Sequence, residues 1–391
     1  MSKASKRETS LIRGSIEIVL THPKERPNPD ITANELKKSL ANGKFLLIDV
    51  RQPDEFSEWN IPGSINVPLG ELAEHDIKQI NPANKEVVTI CSHGNRSRIA
   101  KQILSVRGFK ARSLIGGMTA WSVASEFGEY RFEVDQNVVN LVQMRRIGKG
   151  CISYVIASNG EAIAIDPVFP LEGYLKVAGD LNAKIKAVYD THLHADHVSA
   201  ARALARKSGA KLHLSSHEEY GFKRDMLHDG DTHKLGAVEL KVMHTPGHTA
   251  GSFSFLVGNK VLITGDMLFV NGVGRPDLRD KASEFAGMLH DTLHTKILSL
   301  PHDVLIYPAH FDTTGKSEDL VTATIGEIRR RSTLLALNKQ EFVKQMVSTV
   351  ILPPPNHREI IEINRVDNPV PPESEIYELE MGPNRCSITG D

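Results

Sequence analysis

Thr191-His192-Leu193-His194-Ala195-Asp196-His197 decides how this chain is read. It follows the apolar run Ala187-Val188-Tyr189. Four more segments have the same form. His244-Thr245-Pro246-Gly247-His248 follows Leu240-Lys241-Val242-Met243, and Thr264-Gly265-Asp266 follows Val261-Leu262-Ile263. Pro308-Ala309-His310 follows Val304-Leu305-Ile306-Tyr307, and Arg275-Pro276-Asp277 completes the set. An apolar run that stops at a polar cluster reads as a buried strand opening into a loop. Loops at strand ends carry chemistry on a rigid scaffold. Imidazoles and carboxylates from several strand ends can therefore converge on one divalent metal. The alternative is that these clusters are unrelated, a coincidence repeated along the chain. The chain has 17 histidines, many of them in these clusters, which supports a metal enzyme.

The remaining composition narrows the class. A chain of 391 residues is long for one domain and comfortable for two. Its apolar content of 40% is enough for real cores. A net charge of −1 argues against a nucleic-acid partner or a membrane surface. No apolar run approaches the ~20 residues of a membrane helix. Residues 1–13 are polar and basic without an apolar stretch, unlike a secretory signal. Glu8 weakens a transit-peptide reading. Three scattered cysteines, Cys91, Cys151 and Cys386, do not form a disulfide framework, so a reducing, cytoplasmic location is expected.

Four regions are expected. Residues 1–30 read as an extended arm. Residues 31–128 alternate strands (45–50 and 87–90) with a helix over 98–106 that Gly108 stops, giving an α/β domain. The boundary falls near 125–131. Residues 129–350 carry longer strands, with a helix over 198–207 for which Asp196 is a plausible N-cap. Residues 351–391 are proline-rich and read as an extended surface tail. No internal repeat is visible.

In the first region Cys91-Ser92-His93-Gly94-Asn95-Arg96 links a strand to a helix. Such a loop points backbone N–H groups inward at the helix N-terminus. With Arg96 nearby, those donors would favour a thiolate and bind a persulfide or an oxyanion. Gly94 lets the loop turn tightly. The alternative is a small apolar Cys at a strand end. Residues 31–125 resemble a rhodanese (sulfurtransferase) domain. The resemblance rests on Leu47-Ile48-Asp49-Val50-Arg51, Ile61-Pro62-Gly63-Ser64-Ile65-Asn66-Val67-Pro68, the Cys91–Ser97 loop and Gly116-Gly117-Met118-Thr119-Ala120-Trp121. It implies that Cys91 carries sulfane sulfur with Arg96 assisting. Ser92, His93, Gly94, Asn95 and Ser97 would line the substrate. The loop is one residue shorter than in related phosphatases, which suits sulfur over phosphate. Asn60 stands where the family usually has His, a change expected to be structural.

Residues 131–350 resemble the metallo-β-lactamase fold, which implies an αββα sandwich. That superfamily hosts several chemistries, so the fold alone does not give the reaction. Gly230-Asp231, Thr245-Pro246-Gly247-His248-Thr249, Gly274-Arg275-Pro276-Asp277, Leu305–His310 and Asn384-Arg385-Cys386 look most like the persulfide dioxygenases. The resemblance implies one Fe(II) per chain held by His192, His248 and Asp266. His194, Asp196, His197 and His310 would support it, with Asp196 or His197 carrying protons. In the hydrolase relatives the same residues complete a two-zinc site. Arg275 is a candidate for a substrate carboxylate; its alternative is a loop salt bridge with Asp277. There are two departures from the family: Phe311-Asp312 stands where the dioxygenases commonly have Asp-Tyr, and Val273 where the mitochondrial-type enzymes carry Cys. The thiol carrier, glutathione or another, is therefore left open.

The expected function is fused sulfur chemistry. A low-molecular-weight thiol persulfide is oxidised by O2 to sulfite, alongside sulfane-sulfur transfer among thiols, sulfite and thiosulfate. A homo-oligomer is expected. One alternative is a dinuclear-zinc thioester hydrolase of the glyoxalase II type with an accessory rhodanese domain. Another is a non-enzymatic module. His213, His217, His228, His233, His290, His294 and His302 are read as surface or packing residues, and Cys151 as a small buried side chain. Cys386 reads as an exposed thiol from its polar context, whereas the resemblance places it near the site.

Overall fold

The computed structural model describes residues 29–40, 42–72, 74, 85–277, 281–313, 320–349 and 352–389. The expected N-terminal arm lies, up to residue 28, outside the described residues. Four short strands begin the fold: β1 (Phe45–Asp49), β2 (Ile65–Asn66), β3 (Glu86–Ile90) and β4 (Ala111–Ser113). They form a parallel sheet in the order β2-β1-β3-β4. A parallel sheet needs both faces covered. Leu47, Val88, Met118 and Trp121 pack on one side. Ile48, Val87, Ala100 and Leu104 pack on the other. Helix Asn95–Val106 starts three residues earlier than expected, because Gly94 turns the chain at a φ of 94°. The helix N-terminus therefore opens directly onto the Cys91 loop.

The second domain is a sandwich. Strands β5 (Ser125–Val134), β6 (Asn137–Arg146), β7 (Ile152–Ser158), β8 (Glu161–Ile165), β9 (Lys184–Tyr189), β10 (Lys211–Ser215) and β11 (Asp225–Leu227) form a seven-stranded sheet in the order β11-β10-β9-β8-β7-β6-β5. Then follow β12 (Thr232–Leu235), β13 (Val238–His244), β14 (Phe253–Val257), β15 (Val261–Gly265), β16 (Leu268–Phe269), β17 (Gly272–Gly274), β18 (Leu305–Pro308), β19 (Ala323–Thr324) and β20 (Ser387–Thr389). A six-stranded sheet has the order β12-β13-β14-β15-β18-β19, and β16-β17-β20 make a small third sheet. Tyr154, Ile163, Tyr189, Val242, Phe255 and Ile263 fill the space between the two large sheets. Helices Glu172–Asp180 and Ala201–Ser208 bury Tyr174 and Leu204 on the outer face of the first sheet. Helices Ala282–Thr292 and Lys339–Ser348 bury Leu289 and Phe342 on that of the second. The layers are thus αββα, as the resemblance implied.

Three expectations change. Strand β5 pairs with β6 from Ser125 onward, so the second domain's sheet begins at the early edge of the expected boundary rather than at residue 129. The helix after the His-rich loop spans Ala201–Ser208, capped by Ala200 rather than Asp196. Asp196 is instead held by His197 and His310. Residues 351–391 are not simply an extended tail. They include helices His357–Arg365 and Glu373–Leu379 and strand β20. Ile360 and Ile376 bury into the outer core of the first sheet, and that burial overrides the prolines on either side. No helix among the described residues is long and apolar enough to cross a membrane.

Candidate active sites

Cys91 leaves β3 and is buried. Its Sγ accepts the Gly94 N–H at 3.1 Å and the Ser97 N–H at 3.3 Å. The Ser97 hydroxyl lies 3.5 Å away. These are the helix-terminus donors that the loop was expected to supply. Arg96 turns elsewhere. Its guanidinium binds both oxygens of Glu55, at 2.8 and 2.7 Å, and the Ser92 hydroxyl at 3.0 Å. Arg96 is the chief cause of the Glu55 carboxyl falling to about 2. Asn95 opens the helix and accepts from Arg98. His93 is exposed and sits 2.7 Å from Glu378 of the C-terminal segment. Asn60 donates to the Phe56 carbonyl, a structural contact.

The back of this loop is a close backbone approach. Met118 N–H donates to the Cys91 carbonyl, and Thr119 N–H to that of Ser92. A Cβ on Gly117 would lie 2.1 Å from the Cys91 carbonyl oxygen, and its φ is +59°. Gly117→Ala is therefore expected to destabilise the first domain by about 2 kcal/mol or more. Chemical denaturation followed by tryptophan fluorescence checks this through Trp121, which packs in the same core.

The second site draws on three strand ends. His192 follows β9, His248 follows β13 and Asp266 follows β15. Their ligand atoms lie within 4.8 Å of one another, and all three side chains are buried. His192 Nε2 and His248 Nε2 are 3.8 and 3.5 Å from Asp266 Oδ2. Their other nitrogens are engaged. His248 Nδ1–H donates to the Arg275 carbonyl at 2.8 Å. His192 Nδ1 lies 2.9 Å from the Thr191 hydroxyl, which itself donates to Asp166. Both rings therefore turn the Nε2 lone pair toward Asp266. Burial drives the His192 pKa well down and lowers that of His248, so both stay neutral. His192 Nε2 and Asp266 Oδ2 have no hydrogen-bond partner although both are buried. Orphaned buried polar atoms are costly unless something pairs with them. Neutral imidazoles and a carboxylate facing one point fit a divalent cation.

A second cluster adjoins the first. Asp196 lies 3.1 Å from His197 Nδ1 and 3.0 Å from His310 Nε2. His310 Nδ1 is 2.7 Å from Asp266, so this ring joins the two clusters. Burial opposes charge on all three groups, but the attraction among them, and for His310 first that of the Asp266 carboxylate, outweighs it. Asp196 is held well below the usual carboxylate range, and His197 and His310 well above that of imidazole. Cys151, set aside on sequence, lies 3.2 Å from Asp196 Oδ2 and belongs to this cluster. A backbone bridge between Cys151 and His310 brings it there, and no local pattern announces that bridge. Cys386 is buried beside Asp266 and His310, so the exposed-thiol reading is overturned. Burial pushes its thiol well up.

Two residues draw on partners outside the His192-His248-Asp266 group. His194 directs Nε2 to Asp166 at 3.1 Å and toward Asp190 at 3.9 Å, gathering with those carboxylates rather than with His192 and His248. Burial raises the Asp190 carboxyl to about 6. Arg275 is buried, and its fork binds both oxygens of Asp277 at 2.7 Å. Its Nη1 donates to the carbonyls of Leu352 and Arg385. The loop salt bridge is thus the arrangement present. The substrate-carboxylate reading of Arg275 is corrected, because the fork is spent on protein acceptors.

Comparison with known proteins agrees with this architecture. Residues 32–124 match the Rhodanese-like domain family, and residues 147–310 the Metallo-beta-lactamase superfamily. The chain is 32% identical over 201 residues to Persulfide dioxygenase ETHE1, mitochondrial, of Homo sapiens, covering 48% of this chain and 71% of that protein. It is 34% identical over 164 residues to the Probable polyketide biosynthesis zinc-dependent hydrolase BaeB of Bacillus velezensis, covering 40% and 71%. The crystal structure of a metallo-beta-lactamase from Staphylococcus aureus superposes with a TM-score of 0.55 at 28% identity, covering 60% of this chain and 74% of that one. The chain therefore belongs to the metallo-beta-lactamase superfamily, is homologous to the persulfide dioxygenases, and carries a rhodanese-like domain ahead of that fold.

Proposed function

We propose that this chain is a bifunctional sulfur enzyme. Its second domain oxidises a low-molecular-weight thiol persulfide, such as glutathione persulfide, with O2 and water to sulfite, thiol and two protons. Its rhodanese-like domain moves sulfane sulfur through Cys91. The thiolate takes the outer sulfur of thiosulfate, sulfite leaves, and a thiol then removes the sulfur as a persulfide. The observation that carries the reading is the orphaned His192 Nε2 and Asp266 Oδ2 beside His248. Two imidazoles and one carboxylate form the donor set of open non-haem Fe(II) sites. Iron bound there would supply the redox change that O2 chemistry requires and that zinc lacks.

The chain's own residues do the rest. Thr191 and the Arg275 carbonyl hold the two ligand rings in one tautomer and orientation. The surrounding residues are buried, which limits bulk water at the reacting sulfur. Asp196 holds His197 and His310 protonated in a hydrogen-bonded relay able to give a proton to the departing thiolate and then to take up one of those released. All three cysteines are free, which suits a reducing, cytoplasmic compartment.

A second reading, a two-zinc thioester hydrolase, draws on the Asp196-His197-His310 cluster and the match to a zinc-dependent hydrolase. Metal exchange decides between them. The iron-loaded protein should consume O2 only when given a persulfide, and release sulfite; the zinc-loaded protein should do neither. Brisk thioester cleavage by the zinc form, with no O2 uptake by the iron form on several persulfides, would install the hydrolase reading.

A further inference from the structure

The loop that carries His192 has little regular structure of its own, so its backbone groups must be satisfied from elsewhere. At its start Asp166 accepts from the Thr191 N–H at 2.6 Å. At its end the partners come from the C-terminal segment. Asn364, on helix His357–Arg365, donates its amide to the carbonyls of His194 at 3.0 Å and His197 at 2.9 Å. Its Oδ1 accepts the Ser199 N–H at 2.8 Å. Glu380, just beyond helix Glu373–Leu379, accepts the Val198 N–H at 2.7 Å. Two side chains far along the sequence thus splint the exit of the loop.

Glu380 is also linked to the other domain through Arg146. It is 1% exposed and pairs with Arg146, which is equally buried. Its carbonyl accepts Lys149 Nζ at 2.5 Å. Arg146 Nε donates to the Ser122 carbonyl at 2.8 Å, at the end of helix Gly117–Val123 in the rhodanese-like domain. Ile147 is buried in that domain's core, and Met381 packs against it. A Cβ on Gly148 would lie 2.4 Å from the Trp121 carbonyl oxygen. Interfaces between domains of one chain usually resemble transient contacts. This one is built from core residues and abuts a buried ion pair, and losing one partner of such a pair is strongly unfavourable.

We propose that Asn364 and Glu380 are positioning residues for the metal-binding loop, and that Glu380, through Arg146, makes the set of that loop depend on the docked rhodanese-like domain. The proposal rests on the reading that His192, His248 and Asp266 hold a metal. Groups that orient ligands typically change metal affinity 10–100-fold when removed.

The test uses the full chain with Co2+ as the probe. Wild type, Asn364→Ala, Glu380→Gln and Arg146→Lys are titrated with Co2+, their visible spectra are recorded, and amide hydrogen exchange is mapped. Each variant should bind Co2+ about 10-fold more weakly with an altered spectrum. Residues 191–199 should exchange faster in all three. In Glu380→Gln and Arg146→Lys the faster exchange should extend to residues 121–124. Asn364 sits on a half-buried helix, so its variant reads the loop even if Glu380→Gln fails to fold, and Arg146→Lys then reads the coupling. Unchanged affinity and spectrum in folded variants, even with lower thermal stability, would reduce the segment to a structural brace and overturn the proposal alone. A wild-type chain that binds no Co2+ overturns the metal reading and this proposal with it.

Discussion

Alanine in place of His192, His248 or Asp266 is expected to remove both bound iron and persulfide-dependent O2 uptake. Each side chain supplies one of three buried donors that face a common point. Asp266 is the only anion among them, so its loss also removes the charge that balances a dication. The fall in metal affinity should exceed the roughly 10–100-fold typical of supporting groups. His194→Ala is the contrast. That ring gathers with Asp166 and Asp190, so its variant should keep iron at reduced affinity. Metal analysis after anaerobic purification, paired with O2 electrode traces, reads both effects. Full iron retention by His248→Ala would sink the assignment.

Cys91→Ser is expected to abolish thiosulfate:thiol sulfurtransfer and to leave oxidation of supplied persulfide nearly intact. Sulfane sulfur must be carried on a nucleophilic sulfur, and a serine hydroxyl is scarcely ionised near neutral pH. The Gly94 and Ser97 N–H donors belong to the backbone and survive the change. Cys91 packs in the core cluster of Ala100 and Leu104, a different one from that holding Trp121 and Ile147. Transfer should drop to background while O2 uptake stays within about twofold. Parallel assays on one iron-loaded preparation check it. Equal loss of both rates in that preparation would mean that the two activities are not separable.

Much of the arrangement was legible because it is local. Cys91 and its donors are consecutive residues between one strand and one helix, so their geometry follows from a single turn. The residues that meet at the second site each end an apolar run, and strand ends on one side of a sheet lie close together. That is why His192, His248, Asp266 and His310 could be named from sequence, and the structure brings their side chains together. Arg275 was half legible: the salt bridge to Asp277 is two residues away, but the carbonyls of Leu352 and Arg385 that occupy the rest of its fork are not.

Long-range docking decided the remainder. Cys151 reaches Asp196 through a backbone bridge to His310, and Cys386 reaches Asp266 because β20 pairs with β17. Residues 351–391 suggested an extended tail because prolines dominate its local pattern. Ile360 and Ile376 become helix-burying residues only once the first sheet offers them a face. Asn364 and Glu380 look like ordinary polar residues in the chain, and their contacts with the metal-binding loop appear only after those helices dock. The sequence by itself determined which chemistry ends each strand, since that is written in adjacent residues. Tertiary structure alone decided which distant groups complete and splint the sites, because the free energy of those contacts comes from surfaces that local residues do not contain.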